Sequence, residues 1–149
     1  MDTYKIERDV TIEAPVELVW RTITEPEQIV LWFADQVELE LEPGGSGYLV
    51  FEDEHRPPVQ VETVEPPTRF SFRWNHPAGE QPLAVNSVLV EFTLTPAGSE
   101  RTHLRVVESG LEVLGWPAAD KERYAKEHDG GWAHYFGRLA QMLADRQTR

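Results

Sequence analysis

The sequence predicts a mixed α+β domain, in which a curved, seven-stranded antiparallel sheet wraps around one long C-terminal helix. Apolar and polar residues alternate over seven short segments, a period of two that is typical of strands with one face on a core. Near the C-terminus the apolar spacing becomes helical. The links between consecutive strands are short, which favours antiparallel pairing of neighbours.

The N-terminal part of the chain predicts one strand followed by two short helices. Residues 4–12 alternate, so a strand is expected there, with Arg8 on its apolar face. Pro15 suits the first position of a helix, where its missing N–H costs nothing. A second helix is expected after Thr24, because Thr24 and Glu27 have the spacing of a capping box. That helix should carry the apolar residues Ile29, Val30, Trp32 and Phe33.

The middle of the chain predicts six consecutive strands. The first of them runs over residues 37–41 and ends at a turn of proline and glycine, residues 43–45. The other five are expected over residues 47–52, 59–64, 69–74, 86–95 and 101–109. Clusters of proline and glycine separate these segments, as they do between strands.

The C-terminal segment, residues 120–146, predicts one long amphipathic helix. Its apolar stripe consists of Tyr124, His128, Trp132, Tyr135, Phe136, Leu139, Met142 and Leu143. Gly130 and Gly131 interrupt the helical pattern, and each costs about 1 kcal/mol relative to alanine. We expect the helix to approach the sheet closely at these glycines, with a helix start at that point as the alternative.

The composition argues against several classes of function. The length of 149 residues suits one domain, residues 1–149, with a full core. Acidic residues outnumber basic ones 26 to 14, and the net charge of -12 disfavours a nucleic-acid partner. No apolar run has the length of a signal peptide or membrane span, so a cytoplasmic protein without a membrane partner is expected. Without cysteine, the chain has no disulfide and no thiolate chemistry.

The sequence lacks the motifs of catalytic and metal sites. The glycine-rich residues 44–47 are not followed by the lysine of a phosphate-binding loop, so a tight turn is expected. The five histidines do not form an HExxH pattern, and no serine lies in a GxSxG elbow. We therefore expect no metal, no cofactor and no nucleophilic triad.

Several short sequence motifs, each present once, follow one another in a characteristic order along nearly the whole chain. They are Ile12 to Val16 with Val19 and Trp20, Trp32, Pro43 to Gly45, Val64 to Pro67 ahead of Phe72 to Trp74, and Gly130 to Trp132. Together they resemble the helix-grip superfamily, also called SRPBCC or START-like, whose founding member is the major birch-pollen allergen. The nearest branch is the single-domain homologues of the activator of heat-shock protein 90 ATPase, the AHSA family. This resemblance implies a sheet that grips the long helix around an apolar cavity.

The resemblance and the inward aromatic residues together point to a small, largely apolar ligand in that cavity. The expected cavity residues are Trp32, Phe51, Phe72, Trp74, His76, Phe92, Glu108, Trp116, Trp132, Tyr135 and Phe136. Most of the aromatic residues are expected simply to fill the core. Trp74, His76 and Trp116 are expected at the entrance, because they come from loops or strand ends.

Glu108 is the unusual residue of the last strand. It shares parity with Leu104 and Val106, so strict alternation turns its carboxylate toward the cavity, together with Arg8. An inward carboxylate is either paired or functional. Three possibilities stay open: an ion pair between Arg8 and Glu108, a bulge that turns Glu108 outward, and an unpaired carboxylate kept for chemistry.

Three functions follow, in decreasing order of support. The first is a binding module, which needs only the cavity. The second is an enzyme of the cyclase or hydrolase kind, which needs an acid or a base in the cavity. The candidates for that role are Glu108, His76 and Tyr135. The AHSA name implies a chaperone regulator, but eukaryotic activators use an additional domain to clamp the chaperone. A chaperone contact and a homodimer are left open.

Overall fold

The computed structural model describes residues 5–51, 57–74, 83 and 86–147, with side chains up to residue 145. In chain order the elements are β1 (Ile6–Ile12), α1 (Val16–Thr24), α2 (Pro26–Ile29), β2 (Gln36–Leu39), β3 (Ser46–Val50), β4 (Pro58–Glu65), β5 (Arg69–Trp74), β6 (Val88–Pro96), β7 (Thr102–Ser109) and α3 (Ala118–Gln147). A 3-10 turn, Leu111–Val113, precedes α3. The predicted α+β helix-grip architecture is confirmed.

The seven strands form one antiparallel sheet in the order β1-β7-β6-β5-β4-β3-β2. From β2 to β7 each strand pairs with the next one along the chain, as short connections require. The first strand, β1, lies at the far edge and pairs with β7, where Ile6 is opposite Glu108. This pairing places the strand that precedes the short helices beside the strand that leads into α3.

The core lies between the inner face of the sheet and the helices α1 and α3. Phe70, Phe72 and Trp74 alternate along β5 with the residues between them and are nearly fully buried. From α3, the buried side chains are those of Trp132, Phe136, Leu139 and Leu143. The apolar stripe of α3 is thereby confirmed. None of the described helices is long and apolar enough to cross a membrane.

The turn between β2 and β3 confirms the hairpin expected at residues 43–45. Gly44 has a φ of 86°, a left-handed conformation that glycine adopts without strain. A Cβ atom on Gly47 would lie 2.0 Å from the carbonyl oxygen of Glu38, so a side chain does not fit there. The backbone of the turn also bonds β4, because Gly44 N–H donates to Val61 O at 2.8 Å.

The second short helix differs from its prediction. Thr24 does not cap it: the Thr24 hydroxyl donates back to the carbonyl of Trp20 at 2.7 Å, because Thr24 is still the last residue of α1. Helix α2 therefore begins after Glu25, which makes no side-chain cap. It ends at Ile29, and the following residues continue as turns, so Trp32 and Phe33 are not helical.

Both expectations for Gly130 and Gly131 are wrong. Helix α3 runs through them without a break, so no helix starts there. A Cβ atom on either glycine would meet nothing within 4 Å, so no close approach of the sheet requires glycine at these positions. The buried stripe passes through the neighbouring Trp132, and the main chain of Gly130 lies on the exposed side.

Candidate functional site

The interior between the sheet and α3 is built around the ring of Phe33. Five aromatic rings surround it, and we call them the aromatic box: Trp32, Phe51, Trp74, Trp132 and Tyr135. Trp32, Trp74 and Trp132 lie nearly parallel to the Phe33 ring, at interplanar angles of 29°, 28° and 14° and centroid distances of 5.2, 6.2 and 5.3 Å. Phe51 and Tyr135 meet it edge-on, at 88° and 83° and centroid distances of 5.3 and 4.9 Å.

A small cavity adjoins Phe33 on the sheet side, with a volume of about 20 Å³. Its lining residues are all hydrophobic, namely Ile23, Ile29, Trp32, Phe33, Leu39, Leu49, Val59, Phe70, Phe72 and Phe92. A cavity of this size holds roughly one water molecule. Phe33 therefore both fills the aromatic box and forms one wall of the cavity.

Glu108 lies fully buried beside two indole rings of the box, those of Trp74 and Trp132. Its Oε1 accepts a hydrogen bond from Trp132 Nε1 at 2.9 Å and lies 2.9 Å from His128 Nδ1. Its Oε2 accepts from Trp74 Nε1 at 3.0 Å and from the Tyr124 hydroxyl. A carboxylate offers about four acceptor positions, and here four donors meet them. We call these five residues the Glu108 cluster.

The tautomer of His128 follows from its contact with Glu108. A carboxylate oxygen only accepts, so the nitrogen that faces it, Nδ1, carries the proton. The imidazole ring stacks on Tyr124, with centroids 3.7 Å apart, and meets Trp74 edge-on. The His128 side chain is a quarter exposed, so the cluster reaches the surface on this side of α3.

Arg8 does not pair with Glu108. Its guanidinium bonds both carboxylate oxygens of Asp129 on α3, Nε to Oδ1 and Nη2 to Oδ2, each at 2.8 Å. These hydrogen bonds from Arg8 hold the pKa of the Asp129 carboxyl below its usual value. The two side chains of this pair are 43% and 47% exposed, so the pair lies at the surface.

The two other possibilities for Glu108, a bulge and an unpaired carboxylate, are also wrong. Glu108 is not turned outward by a bulge, because it stays in regular register with Ile6 on one side and Val90 on the other. The carboxylate is not unpaired, since it has four partners. Strand parity correctly indicates the direction of the Glu108 side chain and does not indicate its partners.

Only some of the expected cavity residues line the cavity. Trp32, Phe72 and Phe92 line the cavity, whereas Phe51, Trp74, Trp132 and Tyr135 belong to the aromatic box, and Phe136 packs on Trp132 and Phe92. Trp116 lies apart from them and packs on Tyr124 at 5.5 Å. Trp74 is buried and not at an entrance. His76 lies outside the described residues.

Three residues of the site are not among those expected from the sequence. Phe33 is central to the box, which the sequence does not indicate, because a turn has no periodicity that tells which way a side chain points. Tyr124 and His128 lie on the predicted stripe of α3, four residues apart and in line with Trp132. That spacing, with an inward carboxylate, is a signal that could have identified them. Among the described residues, no group of three acidic or histidine side chains is arranged to hold a metal ion.

Comparison with known proteins gives a consistent assignment. Residues 13–144 match the family described as activator of Hsp90 ATPase homolog 1-like protein. The crystal structure of protein MLL2253 from Mesorhizobium loti is 29% identical with a TM-score of 0.77, over 95% of this chain and 97% of that chain. DynU16, from the dynemicin biosynthetic locus, is 31% identical with a TM-score of 0.74; the match covers 94% of this chain and 47% of DynU16.

A third structure shares the fold alone. The Aha1 dimer from Colwellia psychrerythraea is 17% identical, with a TM-score of 0.74 over 93% of this chain and 95% of that chain. No curated protein is a significant match to this sequence.

Proposed function

Because this chain belongs to the family of activator of Hsp90 ATPase homolog 1-like proteins, we propose that it is a binding module for a small, largely apolar molecule. The molecule is held beside Phe33, between the sheet and the segment formed by α1, α2 and the turn after them. It is not held against α3 as expected, because none of the described residues that line the cavity comes from α3. The observation that carries this proposal is the cavity at Phe33, whose ten lining residues are all hydrophobic. Burial of apolar surface in such a site contributes roughly 25 cal/mol per Å².

The chemistry of the lining selects against polar ligands. Among the lining side chains, only Trp32 carries a polar group, and its Nε1 already donates to the carbonyl of Thr22 at 2.9 Å. A ligand hydroxyl or amide would therefore lose its hydrogen bonds to water without replacement, at a cost of roughly 1–3 kcal/mol or more. An apolar ligand avoids this cost.

The volume of the cavity sets a condition on binding. About 20 Å³ is too small for an organic molecule, so the lining must move when a ligand enters. The apolar side chains of the site are therefore in place before binding, but the space for the ligand forms only when they move apart. Affinity for the ligand is reduced by the free energy of that opening.

The state of the candidate acids and bases supports binding over catalysis. A general base must direct a free lone pair at the substrate, whereas all four acceptor positions of Glu108 face protein donors. The Tyr135 ring packs edge-on against Phe33, as a wall of the box. An enzymatic function therefore has less support from the described residues than a binding module.

The relatives add a weaker argument. DynU16 is encoded in a biosynthetic locus, which agrees with a role close to a small organic molecule. The Aha1 dimer shares only the fold at 17% identity. Among the described residues, a chaperone contact and a dimer accordingly have no observation of their own.

Calorimetric titration tests the proposal. We expect wild-type protein to bind toluene or methylcyclohexane at one saturable site, with a negative heat-capacity change that marks apolar burial. Val59→Ile adds a methylene to the cavity wall and should weaken binding, whereas Val19→Ile, equally buried but outside the lining, should not. Absence of saturable binding of both probes would contradict the proposal.

A further inference from the structure

We infer that the Phe33 side chain is a displaceable plug, and that the molecule bound by this chain carries a flat aromatic ring that replaces the Phe33 ring in the aromatic box. This inference rests on the proposed function and narrows its ligand class. Phe33 is the side chain whose movement would vacate the centre of the interior, because it contacts all five rings of the box.

The geometry of the box defines the shape of its occupant. Aromatic pairs prefer offset-stacked or edge-to-face arrangements, with centroids 4.5–7 Å apart. Phe33 makes both kinds at once: three indoles lie within about 30° of its plane and two rings stand at more than 80° to it. A planar aromatic ring satisfies all five contacts, whereas a saturated ring of the same size is thicker and has no π face for the indoles.

The position of Phe33 in the chain makes it the movable member of the group. Trp74 belongs to β5, and Trp132 and Tyr135 belong to α3, so these rings are fixed by regular elements. Trp32 is held by its hydrogen bond to Thr22 O. Phe51 directly follows the last residue of β3, whereas Phe33 comes from the turn segment between α2 and β2.

The residues before Phe33 show that the turn lies at the surface. Val30 and Leu31 are 37% and 46% exposed, although both are large and apolar. The backbone of the segment is held at Phe33 N–H, which donates to Ile29 O at 3.0 Å, and at Asp35 N–H, which donates to Val50 O at 2.8 Å. A swing of Phe33 therefore needs a local change between two attachments, and it leaves the sheet and α3 in place.

The exposed edge of the box indicates the entrance. Phe33 is 8% exposed, against 2% for Trp32 and Trp132 and 4% for Trp74. Phe51 and Tyr135, the two edge-on rings, are only partly buried. Among the described residues, the box is therefore most accessible on the side of Phe51 and Tyr135, whereas the three indoles are almost fully buried.

The aromatic ligands that bind best are those that bury more apolar surface than the outward movement of Phe33 exposes. A ligand ring of the size of phenyl returns about as much apolar burial as the outward movement of Phe33 removes. Net affinity comes from the surplus, which is available in the adjoining cavity of about 20 Å³. Rings larger than phenyl should therefore bind more tightly than toluene. Engineered apolar cavities of about 150 Å³ in other proteins bind benzene, so a vacated phenyl site is a sufficient host.

Nuclear magnetic resonance of wild-type protein with carbon-13-labelled phenylalanine rings tests the inference, with toluene as the probe. We expect the Phe33 resonances to lose the ring-current shifts of the box as toluene saturates the site. Phe136, which packs on Trp132 and Phe92 and lies outside both the aromatic box and the cavity lining, is the internal control and should keep its contacts. Methylcyclohexane should bind wild type at least tenfold more weakly than toluene.

A Phe33→Leu variant gives an independent measurement. Because its smaller side chain already leaves the box partly vacant, we expect it to bind toluene at least tenfold more tightly than wild type. If that variant does not fold, the wild-type titration decides alone.

Two results would overturn the inference and leave the proposed function intact. Saturable toluene binding with unchanged Phe33 resonances means that the ligand sits elsewhere, and equal affinity for methylcyclohexane means that the site is not aromatic. In both cases apolar binding stands. If neither probe binds wild type or the variant, the inference and the proposed function fail together.

Discussion

At Glu108, one carboxylate joins side chains from two strands and the long helix. Trp74 comes from β5, Glu108 itself from β7, and Tyr124, His128 and Trp132 from successive turns of α3. Burial of a carboxylate is unfavourable unless hydrogen bonds replace its water shell. Here the replacement also fixes the rotation of α3, because only one helix orientation brings the three α3 donors to the same carboxylate.

The first prediction follows from the four hydrogen bonds that occupy all acceptor positions of the Glu108 carboxylate. Glu108→Gln introduces an amide N–H₂ group where two donors already point, so at least one buried donor loses its acceptor. We expect the free energy of unfolding in urea to fall by about 2–3 kcal/mol. Glu122→Gln, an exposed glutamate on α3, is the matched control and should change it little. Equal effects of the two substitutions would show that the cluster contributes no specific stability.

Glu108 also shows which features of a residue can be predicted from a sequence pattern and which cannot. Alternation along β7 correctly predicts that Glu108 faces inward, because the direction of a strand side chain is a local property. Its partners depend on how α3 sits on the sheet, which is a tertiary property. Strand parity therefore suggests Arg8 as the partner of Glu108, whereas in the structure Arg8 pairs with Asp129.

At the scale of elements, the two short helices and the turn after them decide the character of the interior. Strong periodicity predicts the strands and α3 correctly to within a few residues. The capping-box spacing at Thr24 is misleading, because its hydroxyl already bonds the preceding helix. As a result residues 30–34 are not helical, and this turn carries both Trp32 and Phe33 into the core.

The second prediction concerns the glycines of α3. With open space around its Cβ position, Gly130→Ala should stabilise the protein by up to about 1 kcal/mol, since alanine is the better helix former. Gly47→Ala should instead destabilise it by about 2–4 kcal/mol, because its Cβ would overlap the Glu38 carbonyl. Thermal unfolding of both variants checks the pair. A loss of stability in Gly130→Ala would indicate that the sheet does approach the helix there.

At the scale of the whole molecule, a confirmed family fold is combined with an aromatic box whose centre is occupied by the protein's own Phe33. The order of the strands from β2 to β7 and the long helix are predictable, because each depends on local periodicity and on the rule that short links join neighbours; the pairing of β1 with β7 is not, because no short link joins them. The small volume left beside Phe33 is not predictable, because it depends on the direction of one turn residue. The central claim is accordingly that this interior is a ligand site whose occupant displaces Phe33.

Native mass spectrometry of the protein purified from its own host tests most directly whether this interior is a ligand site. We predict that a fraction of the chain carries one additional small mass, which is released on denaturation and identified as a largely apolar molecule with an aromatic ring. The same preparation after extraction with organic solvent and refolding is the control and should show the mass of the chain alone. If the untreated protein shows only the mass of the chain in every growth condition of the host, the claim of a ligand site is contradicted.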